Sequence, residues 1–529
     1  MKKGLLFFAA TLLSAPIFAG GILTNANQSA AYLRMIARDA STQIDAVYYN
    51  PAGLIKLQDG FHLSLNNQTL FSKRTIENKY PLLNESKYIG DVTVPFFPGI
   101  YAAYKTGDWV FSFGFNPSAG GGTASYGAGL PSFEIPFSGI PASLTASGIP
   151  TTAYTADIKF DGTSIFWGTQ VGASYKINDM FSAYAGVRMI NAVNTYEGEL
   201  KNIRINPTFA PLGLNGTSFV KATEFFTNMA SMFGSLAGID ESLQPLINGG
   251  GSALTLAQAQ TANYLTPEQV ASISGGFALI NPSIDPSTLN IAQIQGAYAA
   301  ASPTLLGKQA AMATNASNTQ DQTVDVKQTG TGFTPIIGVN ITPNDKINIG
   351  IKYEFKTTLE LTNDTKKDVV TNMFPNGAKF RNDIPAILSV GIDYKVLPDL
   401  KLAAGLHHYF DKDANWEGKE KFVTDNLYEL SFGMEYNVNE KILFSAGYLY
   451  AQTGVGQGYQ TDISHSLSSS SVGFGGAFKA SEMLTINLGI LYTQYVQSQK
   501  DITYTNFGSV KETYNRNNIG FGIGFDFHF

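Results

Sequence analysis

The chain contains no cysteine. That excludes disulfide staples, a lipid-anchored cysteine and thiolate metal sites. Charged residues are scarce, 14% of the 529, and Lys and Arg do not outnumber Asp and Glu (35 against 41), so no basic surface points to nucleic acid. Histidine is rarer still: His62, His407, His408, His465 and His528 are the five present. None stands in a His-Glu-x-x-His motif, and the sequence has no Gly-x-Ser-x-Gly and no P-loop. A barrel phospholipase or another enzyme would need a nucleophile, a base and an orienting group, and no such set is recognisable. No enzyme, no cofactor and no metal site is expected. After the first twenty residues no run of about 18 apolar residues occurs, so no transmembrane helix is expected either.

What is abundant points elsewhere. Aromatics reach 12% and Gly alone counts 53. Residues 1–19 read as a signal peptide: Lys2 and Lys3, an apolar core over 5–13, and Ile17-Phe18-Ala19 before cleavage. An exported chain without a membrane helix can still cross a bilayer as a closed β-barrel. The last twelve residues have the required pattern. Ile519, Phe521, Ile523, Phe525, Phe527 and Phe529 alternate with small or polar residues, a strict period of two that puts every large apolar group on one strand face.

The same alternation recurs through the chain. Strands are predicted over 61–71, 95–104, 109–115, 164–175 and 181–199, then from 333. Further strands are predicted over 347–361, 384–394, 400–410, 427–436, 442–450, 472–478, 484–495 and from about 513. Six tight turns, each ending in Asp or Glu, join them in pairs: Lys105-Thr-Gly-Asp108, Lys176-Ile-Asn-Asp179, Thr342-Pro-Asn-Asp345, Val396-Leu-Pro-Asp399, Asn437-Val-Asn-Glu440 and Lys479-Ala-Ser-Glu482. Fourteen antiparallel strands need six connections on one side and seven on the other. Short periplasmic turns and long outer loops are the outer-membrane arrangement. The expected fold is therefore all-β, a fourteen-stranded antiparallel transmembrane β-barrel over 59–529. Its longest outer loop, about 202–318, is predicted to hold helices. One has an apolar face that includes Phe225, Phe226, Met229 and Phe233, and another opens at Thr266-Pro-Glu-Gln269. That apolar face either receives greasy ligands or packs within its own loop.

Residues 20–58 precede the first strand, with a helical piece over 29–40 and Asn50-Pro51-Ala52-Gly53 near the end. Fourteen strands enclose a lumen that would leak, and this leader is the segment available to plug it. A plugged barrel is a gated transporter or receptor rather than a general pore. Asp393, Lys401, His407, Glu429, Glu435, Asp526 and His528 are predicted to face inwards as paired, solvated luminal charges. A proton or ion relay is the sharper alternative. Pro117 and Gly120-Gly121-Gly122 interrupt the third strand, where a missing N–H and absent side chains favour a kink.

Four features in this order resemble the FadL/TodX family of outer-membrane transporters for hydrophobic compounds. They are Gly20-Gly21-Ile22 after the cleavage site, Asn50-Pro51-Ala52, the break at 117–122, and a last strand ending on Phe529. The resemblance implies a hatch domain in the lumen, with ligand caught by outer-loop helices and released sideways through the strand-three kink. It implies a pocket near Ile22, a hatch shaped by Asn50, Pro51 and Ala52, and a lateral opening at Pro117, Gly120, Gly121 and Gly122. The expected cargo is hydrophobic small molecules such as long-chain fatty acids, passed to outer-membrane lipid by a monomer in the outer membrane of a Gram-negative bacterium. The alternative is a non-transport adhesin, or a structural barrel partner in an outer-membrane complex.

Overall fold

The computed structural model describes residues 22–368, 374–504 and 507–529. The signal peptide, Gly20 and Gly21 lie outside them. The chain forms two compact units. One comprises the residues up to 134 with 158–199 and 323–529; the other comprises 135–157 and 200–322.

The first unit is the barrel. Among the described residues fourteen barrel strands follow one another. They are β1 (Gly60–Asn78), β2 (Lys87–Thr106), β3 (Trp109–Tyr126), β4 (Thr151–Lys176), β5 (Phe181–Phe209) and β6 (Gln322–Asn344). Then come β7 (Ile347–Glu354, resuming as Glu360–Asp368), β8 (Lys379–Arg381, resuming as Ile387–Lys395), β9 (Leu400–Tyr409) and β10 (Tyr428–Asn437). Last are β11 (Ile442–Gln452), β12 (Ser469–Ser481), β13 (Leu484–Tyr495, resuming as Ser498–Tyr504) and β14 (Gly508–His528). Each pairs with the next, and β1 closes on β14 from His62↔His528 to Asn78↔Glu512. All six predicted tight turns are present. Alternate side chains on the outer wall, such as Trp109, Phe111 and Phe113 on β3 and Phe521 and Ile523 on β14, are exposed aromatic and aliphatic groups. A closed barrel with that apolar outer face is a membrane-spanning fold.

Several strands are longer than the alternation predicted. β2 starts at Lys87, β4 at Thr151 and β6 at Gln322, and β5 runs on to Phe209. The added ends, such as Gln322-Thr-Val-Asp-Val-Lys on β6, keep their apolar residues inside, where Val326 is buried, and are polar outside. They show no lipid-facing stripe, although their ladders still form.

The leader is folded and buried. It forms α1 (Ala30–Arg34), α2 (Ala46–Tyr49) and a 3-10 turn (Pro51–Lys56). The predicted helix over 29–40 is only five residues long. Ser29 caps its start by accepting from the Tyr32 N–H, and Met35 is already extended (φ −150°). Two short helices, α3 (Pro131–Ser138) and α4 (Ile140–Ala146), lie between β3 and β4.

The second unit holds α5 (Ala222–Ala237), α6 (Ile239–Asn248), α7 (Leu256–Thr261), α8 (Pro267–Ile280) and α9 (Ile291–Asn318). α8 begins as predicted, with a capping box between Thr266 and Gln269. α9 was not predicted; its alanine-rich run carries Pro303, a residue that argues against a continuous helix.

Candidate functional site: the hatch and a gap in the barrel wall

The hatch is held by the strands that surround it. A ring of inward glycines lets its backbone approach the wall. A Cβ at Gly391 would stand 2.5 Å from the Asp39 carbonyl carbon, one at Gly473 2.5 Å from the Leu33 oxygen, and one at Gly489 2.7 Å from the Ala30 oxygen. On β9, a Cβ at Gly405 would meet the Asp39 carboxylate at 2.3 Å.

Charges fix the same interface. Glu435 on β10 accepts from Arg34 at 2.5 Å and from Lys401 at 2.5 Å, and stands 3.5 Å from Arg38. Lys401 also pairs with Asp393 at 3.0 Å. His407 bridges Asp39 of the hatch (2.7 Å) and Glu429 of β10 (2.8 Å). Lys352 Nζ donates to the Tyr48 carbonyl at 2.7 Å and to Glu354, which also pairs with Arg188. Within the hatch, Arg38 makes a forked pair with Asp45 through Nε (2.9 Å) and Nη2 (2.7 Å). Burial alone would raise the Asp45 carboxyl, but Arg38 beside it holds it below the usual range. Asp393, Lys401, His407, Glu429 and Glu435 are thus paired, but they are buried rather than solvated, and Glu435 and His407 answer the hatch residues Arg34, Arg38 and Asp39. Asp526 accepts from Ser64 and Asn487, and His528 stacks on His62.

Asn50, Pro51 and Ala52 sit where the hatch meets β4–β6. Asn50 Nδ2 donates to the Ser41 carbonyl (3.0 Å) and to Asn340 Oδ1 (2.8 Å). The Pro51 carbonyl accepts from Ser174 and the Ala52 carbonyl from Ser182. A Cβ at Gly53 would clash with both Asn50 Nδ2 and the Ser41 oxygen, so this corner needs Asn and Gly together.

The pairing of β2 with β3 is interrupted around Pro117 and Gly120–Gly122. β2 and β3 pair over 91–93 with 125–123, and over 100–106 with 115–109; residues 94–99 and 116–122 between them are unpaired. β3 stays paired with β4, with register shifts at Pro117/Ala119 and Gly120/Gly122. Gly120 (φ 66°) and Gly121 (φ 136°) take up conformations that other residues rarely adopt. The β3 carbonyls released by the gap are taken by the hatch. Ser118 O accepts from the Asn25 N–H (2.9 Å), Gly120 O from Asn25 Nδ2 (2.5 Å) and Pro117 O from Gln28 Nε2 (3.1 Å). On the β2 side, Pro95 and Pro98 have no N–H to leave unpaired. Phe96 between them is 67% exposed on the outer wall. Sequence reasoning missed this half of the gap, and Asn25 and Gln28. Two prolines within an interior barrel strand were the available signal.

Ile22 is buried in an apolar cluster with Leu23, Ile387, Tyr409, Trp416 and Tyr459, so the start of the described chain lies among apolar side chains. Beside this cluster, Asp411 Oδ2 accepts from the Leu427 N–H while Oδ1 has no partner. Burial pushes the Asp411 carboxyl up to about 7.

Phe225, Phe226, Met229 and Phe233 all lie on α5 and are buried within the second unit. α5 packs along α9, and the Phe209 and Phe225 rings meet edge to face. The four side chains therefore form that unit's own core and are not an open face; a ligand would reach them only if the helices parted.

No protein-family model and no curated protein sequence matches the chain. Solved structures do. A FadL homologue from Pseudomonas aeruginosa superposes with a TM-score of 0.56 at 12% identity, over 96% of this chain and 100% of that one. The toluene transporter TodX from Pseudomonas putida superposes with a TM-score of 0.50 at 15% identity, over 96% and 100%. The chain has the FadL/TodX fold, as its motifs led one to expect. A closed single-chain barrel of this build is an outer-membrane fold.

Proposed function

We propose that this protein carries hydrophobic small molecules across the outer membrane of a Gram-negative bacterium and releases them sideways into the bilayer between β2 and β3. One observation carries the reading: among the described residues, the hatch bridges β3 at Thr24↔Ala119, within the stretch where β3 is unpaired with β2. The hatch fills the lumen, so a straight axial path would require it to leave. A side exit does not. A ligand that prefers hydrocarbon gains about 0.8 kcal/mol per CH₂ on entering lipid, and nothing from a wet channel. Ile22 and its apolar neighbours offer a resting place on the way, and Asn50, Pro51 and Ala52 set the hatch against the wall.

The chemistry is that of a carrier and not of an enzyme, and TodX, of the same fold, is described as a toluene transporter. Long-chain fatty acids are the cargo we favour, passed to outer-membrane lipid by a monomer. Uptake of labelled oleate and of toluene into a Gram-negative host lacking its own such transporter tests the reading. The parent chain should restore uptake, and Asn50→Ala with Pro51→Ala should reduce it several-fold at equal surface level. Failure of the parent to restore either compound, with the barrel folded, would count against transport.

A further inference from the structure

The ladder between β6 and β7 is interrupted as well. The two strands pair over 336–341 with 354–349, and over 324–329 with 368–362. Among the described residues, 330–335 and 355–361 form no ladder with each other. Pro335 is the physical cause. It accepts from the Phe355 N–H at 3.0 Å and has no N–H with which to return the bond. β7 stays joined to β8 through the same stretch, from Ile387↔Glu354 by way of Thr357↔Ile384 to Glu360↔Arg381. β3 shows the same asymmetry, keeping β4 where it leaves β2. The break in β7 begins at Phe355, eight residues after Ile347 opens the strand, and that in β3 at Asn116, seven after Trp109. The two breaks therefore stand at similar distances from their tight turns.

Overlap closes this seam in place of a ladder. β6 has no side chain at Gly330 or Gly332, and β7 lies across both. A Cβ at Gly330 would stand 2.3 Å from the Glu360 oxygen, and one at Gly332 2.5 Å from Thr357 Cγ2. The buried Thr334 and Thr357 hydroxyls meet across the seam. Phe333 and Phe355 flank it outside, 59% and 42% exposed. On the inside Leu359, Leu361 and Ile384 are buried in one apolar cluster with Phe166, Ile190 and Ala119. Ala119 belongs to the stretch of β3 that is unpaired with β2. One apolar lining thus reaches from this seam to the proposed exit. The charges beside it are engaged: Arg381 pairs with Asp383 at 2.8 Å, and Lys356 donates to the Asp413 carbonyl at 3.1 Å.

We infer that the seam between β6 and β7 is a side entrance, through which uncharged apolar molecules already dissolved in the outer leaflet reach the lumen. Parting the strands here breaks the Phe355–Pro335 hydrogen bond and the hydroxyl contact, where a paired stretch would lose a run of ladder bonds. The molecule then follows the lining from Leu359 and Ile384 to Ala119 and the gap between β2 and β3. A carboxylate is excluded from this route, because burying an ion without a partner is costly and the lining offers none. The entrance rests on the transport reading. It adds a way in that bypasses the outer loops and is selective for uncharged cargo.

The chain has no cysteine, so Thr334→Cys with Thr357→Cys places its only thiols across the seam. Side chains whose hydroxyls touch stand within reach of the Cβ separation of about 3.8 Å that a disulfide needs. Uptake of labelled toluene and of labelled oleate would be measured in a Gram-negative host lacking its own such transporter, with the pair oxidised and then reduced, at equal surface level. Oxidation should lower toluene uptake several-fold, reduction should restore it, and oleate uptake should not change. Toluene uptake indifferent to a confirmed cross-link would overturn the entrance. So would an equal fall in both compounds, which would make the seam a structural part of the whole path. Where the pair does not cross-link, Pro335→Val supplies the missing N–H and should likewise depress toluene uptake alone; parental toluene uptake in that variant would also overturn the entrance. If the parent takes up neither compound, the transport reading falls, and the entrance with it.

Discussion

Gly391 and Asp411 show what single residues contribute. Gly391 leaves room for the hatch backbone at Asp39, and even a Cβ there would stand 2.6 Å from the Ala40 nitrogen. Gly391→Val should cost about 1–3 kcal/mol by overpacking, and more if the hatch cannot shift. The expected outcome is a lower temperature for loss of the compact band on cold gels, together with trypsin cleavage within 22–58. An unchanged transition would show that the hatch is held loosely there. Asp411 makes stability depend on pH. Its carboxyl is raised to about 7 by burial, so the folded protein holds this proton where the unfolded chain, at about 3.9, has lost it. Its contribution is complete below about pH 4 and fades as pH rises towards 7, by up to about 4 kcal/mol at roughly 1.36 kcal/mol per unit. Asp411→Asn should flatten the dependence of the unfolding temperature on pH between 4 and 8 and raise it at pH 8. A parallel pH profile in the variant would contradict this. Neither role was legible in the sequence. Nothing in the pattern singles out Gly391, whose small size matters only once the hatch stands against it, and Asp411 lies in an outer loop with no pattern around it.

At the level of elements, the hatch is locked to the barrel chiefly through Glu435, which answers Arg34, Arg38 and Lys401 together. Removing one member of a buried ionic network leaves the others uncompensated, at a cost of about 3–5 kcal/mol. Glu435→Gln should therefore loosen the hatch while leaving the strands paired, seen as larger and more frequent conductance steps in planar bilayers. A silent variant with parental conductance would mean that the hatch is held by its backbone contacts alone. The hairpins were the legible part of the fold: six turns such as Lys105-Thr-Gly-Asp108 stand between stripes of large apolar groups that must meet lipid. The outer ends of β4 and β6 were not legible because their apolar residues, such as Phe160 and Val326, are few and face inwards, leaving no lipid-facing stripe. α9 was hidden by Pro303. The break in β3 was readable from Pro117 and its glycines, but its counterpart at Pro95 and Pro98 on β2 was mistaken for the ordinary start of a strand.

At the scale of the barrel, a buried hatch lies against a wall in which β2 and β3 are unpaired with each other over 94–99 and 116–122. In the proposed route the hatch blocks the axis and the unpaired stretch of β2 and β3 is the exit. The decisive measurement is uptake of labelled oleate through a straightened wall. Residues 117–122 would be replaced by a Val-Thr repeat of register matched to 94–99, so that β2 and β3 can pair throughout. Surface level and heat-modifiable folding would be held equal to the parent. Sideways release requires uptake to fall at least about tenfold, to the level of cells without the protein, a change of roughly 1.4 kcal/mol or more in the path. Parental uptake through a fully paired wall would contradict it and return the ligand's path to the barrel axis.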